Sequence, residues 1–207
     1  AHAMDKIEML ARILQADGRG PTIVFCRTKR TAQKTSDDLA ERGFRAATIH
    51  GDLGQSAREK ALNDFKAGKS DVLIATDVAA RGIDIDGITH VINYQCPEDE
   101  KTYVHRIGRT ARAGAHGIAV TFVDWDELAR WKMIDTALVL GLPEPLETYS
   151  SSEHLYEMLN IPAGSTGRIV KAKPAAAVAK VAKPAAAKQE SAPRVKRERT
   201  RTKRISS

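Results

Sequence analysis

Short apolar runs alternate with polar stretches of helical length along roughly the first 140 residues of the chain. Met4, Ile7, Leu10 and Leu14 recur at three- and four-residue spacing, which predicts an amphipathic helix over residues 4–16. The stretch 17–21, Asp-Gly-Arg-Gly-Pro, ends it. Residues 22–26 are wholly apolar after Thr22, the pattern of a strand buried on both faces of a parallel sheet. A polar segment from Thr28 to Arg42 predicts a helix, closed by Gly43. The alternation continues with strand 44–49, helix 55–66, strand 72–75, a loop over 76–87, strand 90–94, helix 98–107, strand 117–123 and helix 127–140. Strands separated by single helices predict βαβ units, a parallel sheet and right-handed crossovers. In such sheets ligands gather at the C-terminal ends of the strands.

After Gly141 the pattern breaks. Pro143, Pro145, three consecutive serines at 150–152 and Pro162 predict a surface extension over 142–169 packed against the body, with one helical turn at 154–159. From residue 170 the chain is Lys, Arg, Ala and Pro, too poor in apolar surface to offset ordering entropy, and reads as a disordered tail. The net charge of +7 is unevenly spread. Residues 171–207 carry 12 Lys/Arg against Glu190 and Glu198, so the body before them is mildly acidic. A basic site in the body is therefore local. No apolar run approaches the ~20 residues of a membrane span, and the N-terminus lacks a signal-peptide pattern. Cys26 and Cys96 stand apart in apolar surroundings and predict reduced core thiols in a cytoplasmic protein, with no metal site.

Four stretches carry candidate chemistry, and all fall where a predicted strand meets a helix or loop. The run 105–114 holds Arg106, Arg109 and Arg112 at three-residue spacing without an acid among them. On one helical face these guanidiniums would converge, an arrangement suited to phosphate oxygens. Alone, such a run is most simply a solvated basic face. The second stretch follows strand 72–75: Thr76 can donate to a phosphate, Gly82 permits close backbone approach, and Asp84 can accept from a ribose diol. The third, 49–59, brings Arg58 into the first turn of a helix, where it needs an anion or Glu59 beside it. The fourth places Arg27, Thr28, Lys29 and Arg30 at a helix N-terminus.

Together, the order and spacing of these stretches resemble the C-terminal RecA-like lobe of the DEAD-box RNA helicases over about residues 4–140. Val24-Phe25-Cys26-Arg27-Thr28-Lys29 resembles motif IV, His50-Gly51-Asp52 through Gln55-x-x-Arg58 the adjoining QxxR region, 75–84 motif V, and His105 through Gly114 motif VI. The Lys/Arg-rich tail resembles bacterial RhlE-type members. The implied organisation is an α/β fold, a RecA-like parallel sheet sandwiched by helices over 1–141. Residues 1–17 would be a linker helix, 142–169 an extension and 170–207 a disordered basic tail.

The resemblance further implies that Arg109 and Arg112 are arginine fingers for ATP, and that Gly82 and Asp84 take its ribose. Thr28, Arg58, Thr76 and Arg81 would hold the RNA backbone, while His105 and Arg106 couple the two sites. The chain contains neither a Gly-x-x-x-x-Gly-Lys-Ser/Thr loop nor an Asp-Glu-Ala-Asp box. ATP and its Mg²⁺ would thus be held mainly by an N-terminal RecA-like lobe, and these residues alone would be inactive. RNA and that lobe are the expected partners, with RNA-degradation or ribosome-assembly proteins as further candidates and no membrane. The family usually has Gly where Ala111 stands, and helical backbone is expected there. Two alternatives stay open: a lobe of a DNA helicase or translocase, or a stand-alone nucleic-acid-binding module.

Overall fold

The structure, a computed structural model, describes residues 1–83, 85–111 and 116–169. The chain divides into two units at residue 172, and the described residues all belong to the first. Asp84, Arg112, Gly114 and the tail from 170 onward lie outside the described residues.

Five parallel strands form one sheet among the described residues: β1 (Thr22–Cys26), β2 (Ala46–Ile49), β3 (Val72–Thr76), β4 (His90–Asn93) and β5 (Ile118–Thr121), in the order β2-β3-β1-β4-β5. The central strands β1, β3 and β4 are buried along their whole length, as the continuous apolar runs of β1 and β3 predict. Helices α1 (Lys6–Ile13), α2 (Lys29–Glu41), α3 (Gln55–Lys66), α4 (Asp77–Ala80), α5 (Glu100–Ile107), α6 (Leu128–Leu138) and α7 (Glu153–Leu159) complete the chain, with a 3-10 turn at Trp125–Glu127.

The alternating faces of the strands divide the core. Val24, Cys26, Val72, Ile74, Ile92 and Phe122 pack with α1, α2 and α7, through Leu10, Leu39 and Leu155. Ile23, Phe25, Leu73 and Val91 pack on the other face with Phe65 of α3. A smaller cluster gathers Cys96, Val123, Trp131 and Ile134 under α5 and α6. The result is the parallel sheet between two helical layers that the pattern predicts, in the RecA-like class that the resemblance implies. Cys26 and Cys96 are unpaired and buried. Burial pushes their thiols up to about 12 and about 11, so neither is reactive near neutrality.

Some expectations need correcting. The predicted first helix is shorter, and Met4 lies outside it with 86% of its surface exposed. Lys6 is buried instead, its ammonium held by Asp124 at 2.6 Å and by the Tyr94 carbonyl at 3.1 Å. An apolar stem with a paired head can occupy a core position that a hydropathy pattern assigns to a hydrocarbon. The predicted 76–87 loop opens with the single turn α4. The extension packs against the body, as expected. Ser150 binds both carboxylate oxygens of Asp5 at 2.5 and 2.7 Å, and Ile161 and Leu155 enter the core. Glu8 ties Arg42 at 2.6 Å and Arg12 at 3.0 Å; burial pushes its carboxyl up, but these hydrogen bonds outweigh it and leave it below the usual range.

Candidate functional site

The C-terminal ends of β1 and β3 lie side by side, with Cys26 opposite Thr76 in register. Thr28 follows β1 by two residues and caps α2: its hydroxyl accepts from the Thr31 N–H at 3.1 Å and leaves the side chain exposed. This is why the chain turns there, since a Ser or Thr at the N-cap satisfies a donor the helix cannot. Thr76 ends β3 and is mostly buried. Arg58, in α3, crosses toward the same edge and donates to the Ala79 carbonyl at 3.4 Å. The partner anticipated for it, Glu59, accepts from Gln55 at 2.7 Å instead, because Gln55 and Glu59 are the i,i+4 pair. Thr28, Arg58 and Thr76 therefore share the strand-end edge over β3 and β1.

The arginine run does not form one exposed face. Helix α5 ends at Ile107, so Arg109 leaves the helical face that i,i+3 spacing supposes. Arg106 turns inward and is 1% exposed. Its Nε and Nη2 reach the two carboxylate oxygens of Asp77 at 2.7 Å each. Nη1 donates to Asn93 Oδ1 at 3.1 Å and to the Gln95 carbonyl at 3.2 Å, and the guanidinium lies 5.3 Å from the Phe25 ring centre. A buried guanidinium needs this many partners, because an unpaired charge in a core costs several kcal/mol or about 3–5 when one partner is removed.

Arg109 stays half-buried, with Nη1 donating to the Ile83 carbonyl at 2.7 Å. The next residue, Thr110, donates to the Ile88 carbonyl at 2.6 Å. These two bonds hold both ends of the 83–88 loop against the end of α5. Gly117 lies close against Thr110, and a Cβ there would collide with its side chain. Arg81, Gly82, His105, Arg106 and Arg109 surround one cavity of about 280 Å³ with Phe25, Asp77, Ala80 and Thr102. Gly82 sits at φ +72° with open space over its Cα, which lets a ligand approach its backbone. Four cationic or protonatable side chains against one carboxylate, itself consumed by Arg106, make the cavity suited to an anion. Among the described residues no group of three or more His, Cys, Asp or Glu is placed to hold a metal ion, and no helix is long and apolar enough to cross a membrane.

Ala111 corrects the expectation of helical backbone. Its φ is 54°, in the left-handed region. A Cβ in that region costs about 1–2 kcal/mol, which explains why glycine suits the position.

Asp77 and Asn93 were legible only in part. Asn93 is a polar residue ending a buried strand, which signals a buried partner; nothing local marks Asp77 as that partner's counter-ion. Glu127 carries only the local signal of a capping box, Asp124-x-x-Glu127, and nothing that marks its contacts with Arg27 and Cys96. It is buried, pairs with Arg27 beside Thr28, and accepts from the Cys96 N–H at 3.3 Å and the Asp124 N–H at 3.2 Å. It thereby fixes the turn that follows β1.

A parallel sheet between two helical layers, with an arginine-lined cavity at its strand ends, defines the class as a RecA-like helicase lobe. The helicase conserved C-terminal domain family matches residues 5–114, more than half of the chain. The chain belongs to that family and is the C-terminal lobe of a DEAD-box helicase. It is 50% identical over 134 residues to the ATP-dependent RNA helicase CshA of Listeria monocytogenes, covering 65% of this chain and 26% of that protein. It thus spans about a quarter of the length of the curated relatives it matches. Among solved structures it is similar to the E. coli DEAD-box protein SrmB bound to regulator of ribonuclease activity A. There the TM-score is 0.63 with 35% identity, covering 65% of this chain and 79% of that one. S. cerevisiae Dbp5 bound to RNA and ADP BeF3 gives a TM-score of 0.63 at 31% identity, covering 76% of this chain and 42% of that one.

Proposed function

We propose that this lobe supplies half of the active site of an ATP-dependent RNA helicase that separates short duplexes by clamping RNA between two lobes. The observation that carries the reading is Arg109: pinned through Nη1 to Ile83, it stands at the rim of a cationic cavity beside the open backbone of Gly82. A guanidinium held in this way meets phosphate oxygens without first losing its own freedom, the preorganisation that stabilises charge in phosphoryl transfer. Arg112 is the second finger and Asp84 the ribose contact by resemblance alone. ATP is the substrate, with Mg²⁺ and the water-activating carboxylate on the N-terminal lobe of the same protein.

Thr28, Arg58, Thr76 and Arg81 form the RNA backbone track along the strand ends. His105 and Arg106 link it to the nucleotide side. The relatives named as RNA helicases favour RNA over the DNA-directed alternative and over a stand-alone binding module. The basic tail adds salt-dependent, sequence-independent RNA affinity. The domain limits 1–141, 142–169 and 170–207, the RhlE-type affinity, a cytoplasmic location and partners in RNA degradation or ribosome assembly belong to the same proposal.

In the full-length protein, Arg109→Ala lowers RNA-stimulated ATP turnover by about 10³–10⁵-fold and leaves RNA affinity near that of the parent. Steady-state hydrolysis and fluorescence anisotropy on labelled RNA measure the two. Turnover within tenfold of the parent would refute the finger assignment, and ATPase activity of residues 1–207 alone would refute the two-lobe site.

A further inference from the structure

Strand β5 is an edge of the sheet. Ile118 N donates to the Thr89 carbonyl at 2.9 Å and Phe122 N to the Asn93 carbonyl at 3.0 Å, so residues 118, 120 and 122 direct their backbone groups toward β4. By the two-residue period of a strand, Ala119, Thr121 and Val123 direct theirs outward. The Val123 carbonyl accepts from the Ala1 amine at 2.8 Å. The outward N–H and C=O groups of Ala119 and Thr121 have no partner among the described residues. An unpaired edge of this kind is a template for pairing, and sheets ordinarily protect it with charge, proline or a covering segment.

Here the edge lies open along a groove of about 420 Å³, within the range of ligand sites. One side comes from Tyr103 and Trp131, the other from Met9 and Leu155 on the opposite face of the sheet. Trp125, Leu128, Leu142, Leu146, Tyr149 and Met158 also line it and are all exposed, Trp125 by 68% and Met158 by 70%. Apolar side chains gathered in one groove beside free backbone groups are distinct from singly scattered surface apolar residues.

The groove's charge narrows the occupant. No Lys or Arg lines it; Asp124, Glu144 and Glu147 do, together with the Ala1 amine. Asp124 is already paired with Lys6, and Glu144 and Glu147 against the Ala1 amine leave the groove with a net negative charge. We infer that this groove docks an extended segment of another protein, which adds as a strand to β5, places alternate apolar side chains between the helical layers and carries Lys or Arg beside them. Backbone pairing supplies affinity and the side-chain pockets supply specificity in this mode. The inference is independent of the nucleotide and RNA reading, since the groove shares no residue with the Arg109 cavity.

The test uses residues 1–207 against a displayed library of random ten-residue peptides. Enriched peptides have apolar residues at every second position with flanking Lys or Arg. Adding the most enriched one slows hydrogen exchange at the Ala119 and Thr121 amides by at least about tenfold. Ala119→Pro removes an outward N–H while sparing the bonds to β4, and weakens that peptide by about tenfold. Leu146→Glu, on an exposed coil, does the same with unchanged melting temperature and serves where the proline variant fails to fold. Enrichment of helical spacing, no enrichment, or unchanged exchange at both amides overturns the inference. So does sedimentation showing self-association that the peptide displaces, which would assign the groove to a second copy of the chain.

Discussion

Replacing Asp77 by Asn tests whether the first arginine of the run is a core residue. Arg106 has a side chain 1% exposed, while that of Asp77 is 32% exposed. Removing one partner of a fully buried pair costs about 3–5 kcal/mol, mostly because the other charge is left uncompensated. Water reaches the Asp77 side of this pair, which reduces the expected loss to about 2–4 kcal/mol. Asn93, the Gln95 carbonyl and the Phe25 ring remain around the guanidinium and keep the loss from being larger. For a body of this size each kcal/mol lowers the melting temperature by about 2–4 °C, so a fall of about 5–15 °C is expected by circular dichroism. The double variant Asp77→Asn with Arg106→Met removes the stranded charge and keeps an apolar side chain against Phe25. It should recover more than half of the loss, since apolar replacement of a buried pair is often neutral. A loss below about 1 kcal/mol for Asp77→Asn, or a double variant as unstable as the two single losses added, would refute the reasoning.

Two further outcomes follow from the same structure. Ala111→Gly removes a Cβ from a backbone held at φ 54° and should raise stability by about 0.5–1 kcal/mol, net of the unfolded-state entropy of glycine; a decrease in urea midpoint would show that the methyl makes a compensating contact. His90 is buried, and burial followed by the nearby Arg19 lowers its pKa below the ordinary 6.5. The unfolded chain then binds a proton that the folded chain refuses, so its contribution is complete above about pH 6.5 and is lost as pH falls toward the folded value. His90→Gln should therefore flatten the loss of unfolding free energy between about pH 7.5 and about pH 5, where the carboxylates are still ionised; an identical slope in the variant would remove His90 as the cause.

Strands β1 and β3 were legible because a strand buried on both faces needs an uninterrupted apolar run, and Thr22–Cys26 and Val72–Ala75 are such runs. Helix α3 begins and ends at the residues its polar pattern marks, Gln55 and Lys66. The strand-end loops were legible for the same reason, and with them the positions of Thr28, Thr76 and Gly82. What could not be read was the direction in which a side chain points after its helix stops. Equal spacing suggests one face for Arg106 and Arg109, but Gly108 closes α5 between them and sends the first inward and the second to the cavity rim. The buried carboxylate of Glu127 was invisible for a related reason: its partners Arg27 and Cys96 come from segments 100 and 31 residues away, and neither contact has a local signature.

The inward turn of Arg106 bears on how such a lobe couples two ligands. Asp77 opens α4 directly behind Thr76, so the ion pair anchors α5 to the start of the loop on the proposed RNA side. Arg109 and Thr110, three and four residues further on, anchor the same segment to Ile83 and Ile88 at the other end of that loop. A displacement of α5 against the sheet cannot move one anchor without the other, because four residues of chain separate Arg106 from Thr110. Close packing makes such a joint shift a choice between discrete arrangements and not a continuous deformation. On the proposed reading, a phosphate drawn to Arg109 and a nucleic-acid strand lying over Thr76 would therefore favour or oppose the same arrangement. On that reading coupling would need no separate transmission device, and the buried pair between Arg106 and Asp77 would be its hinge.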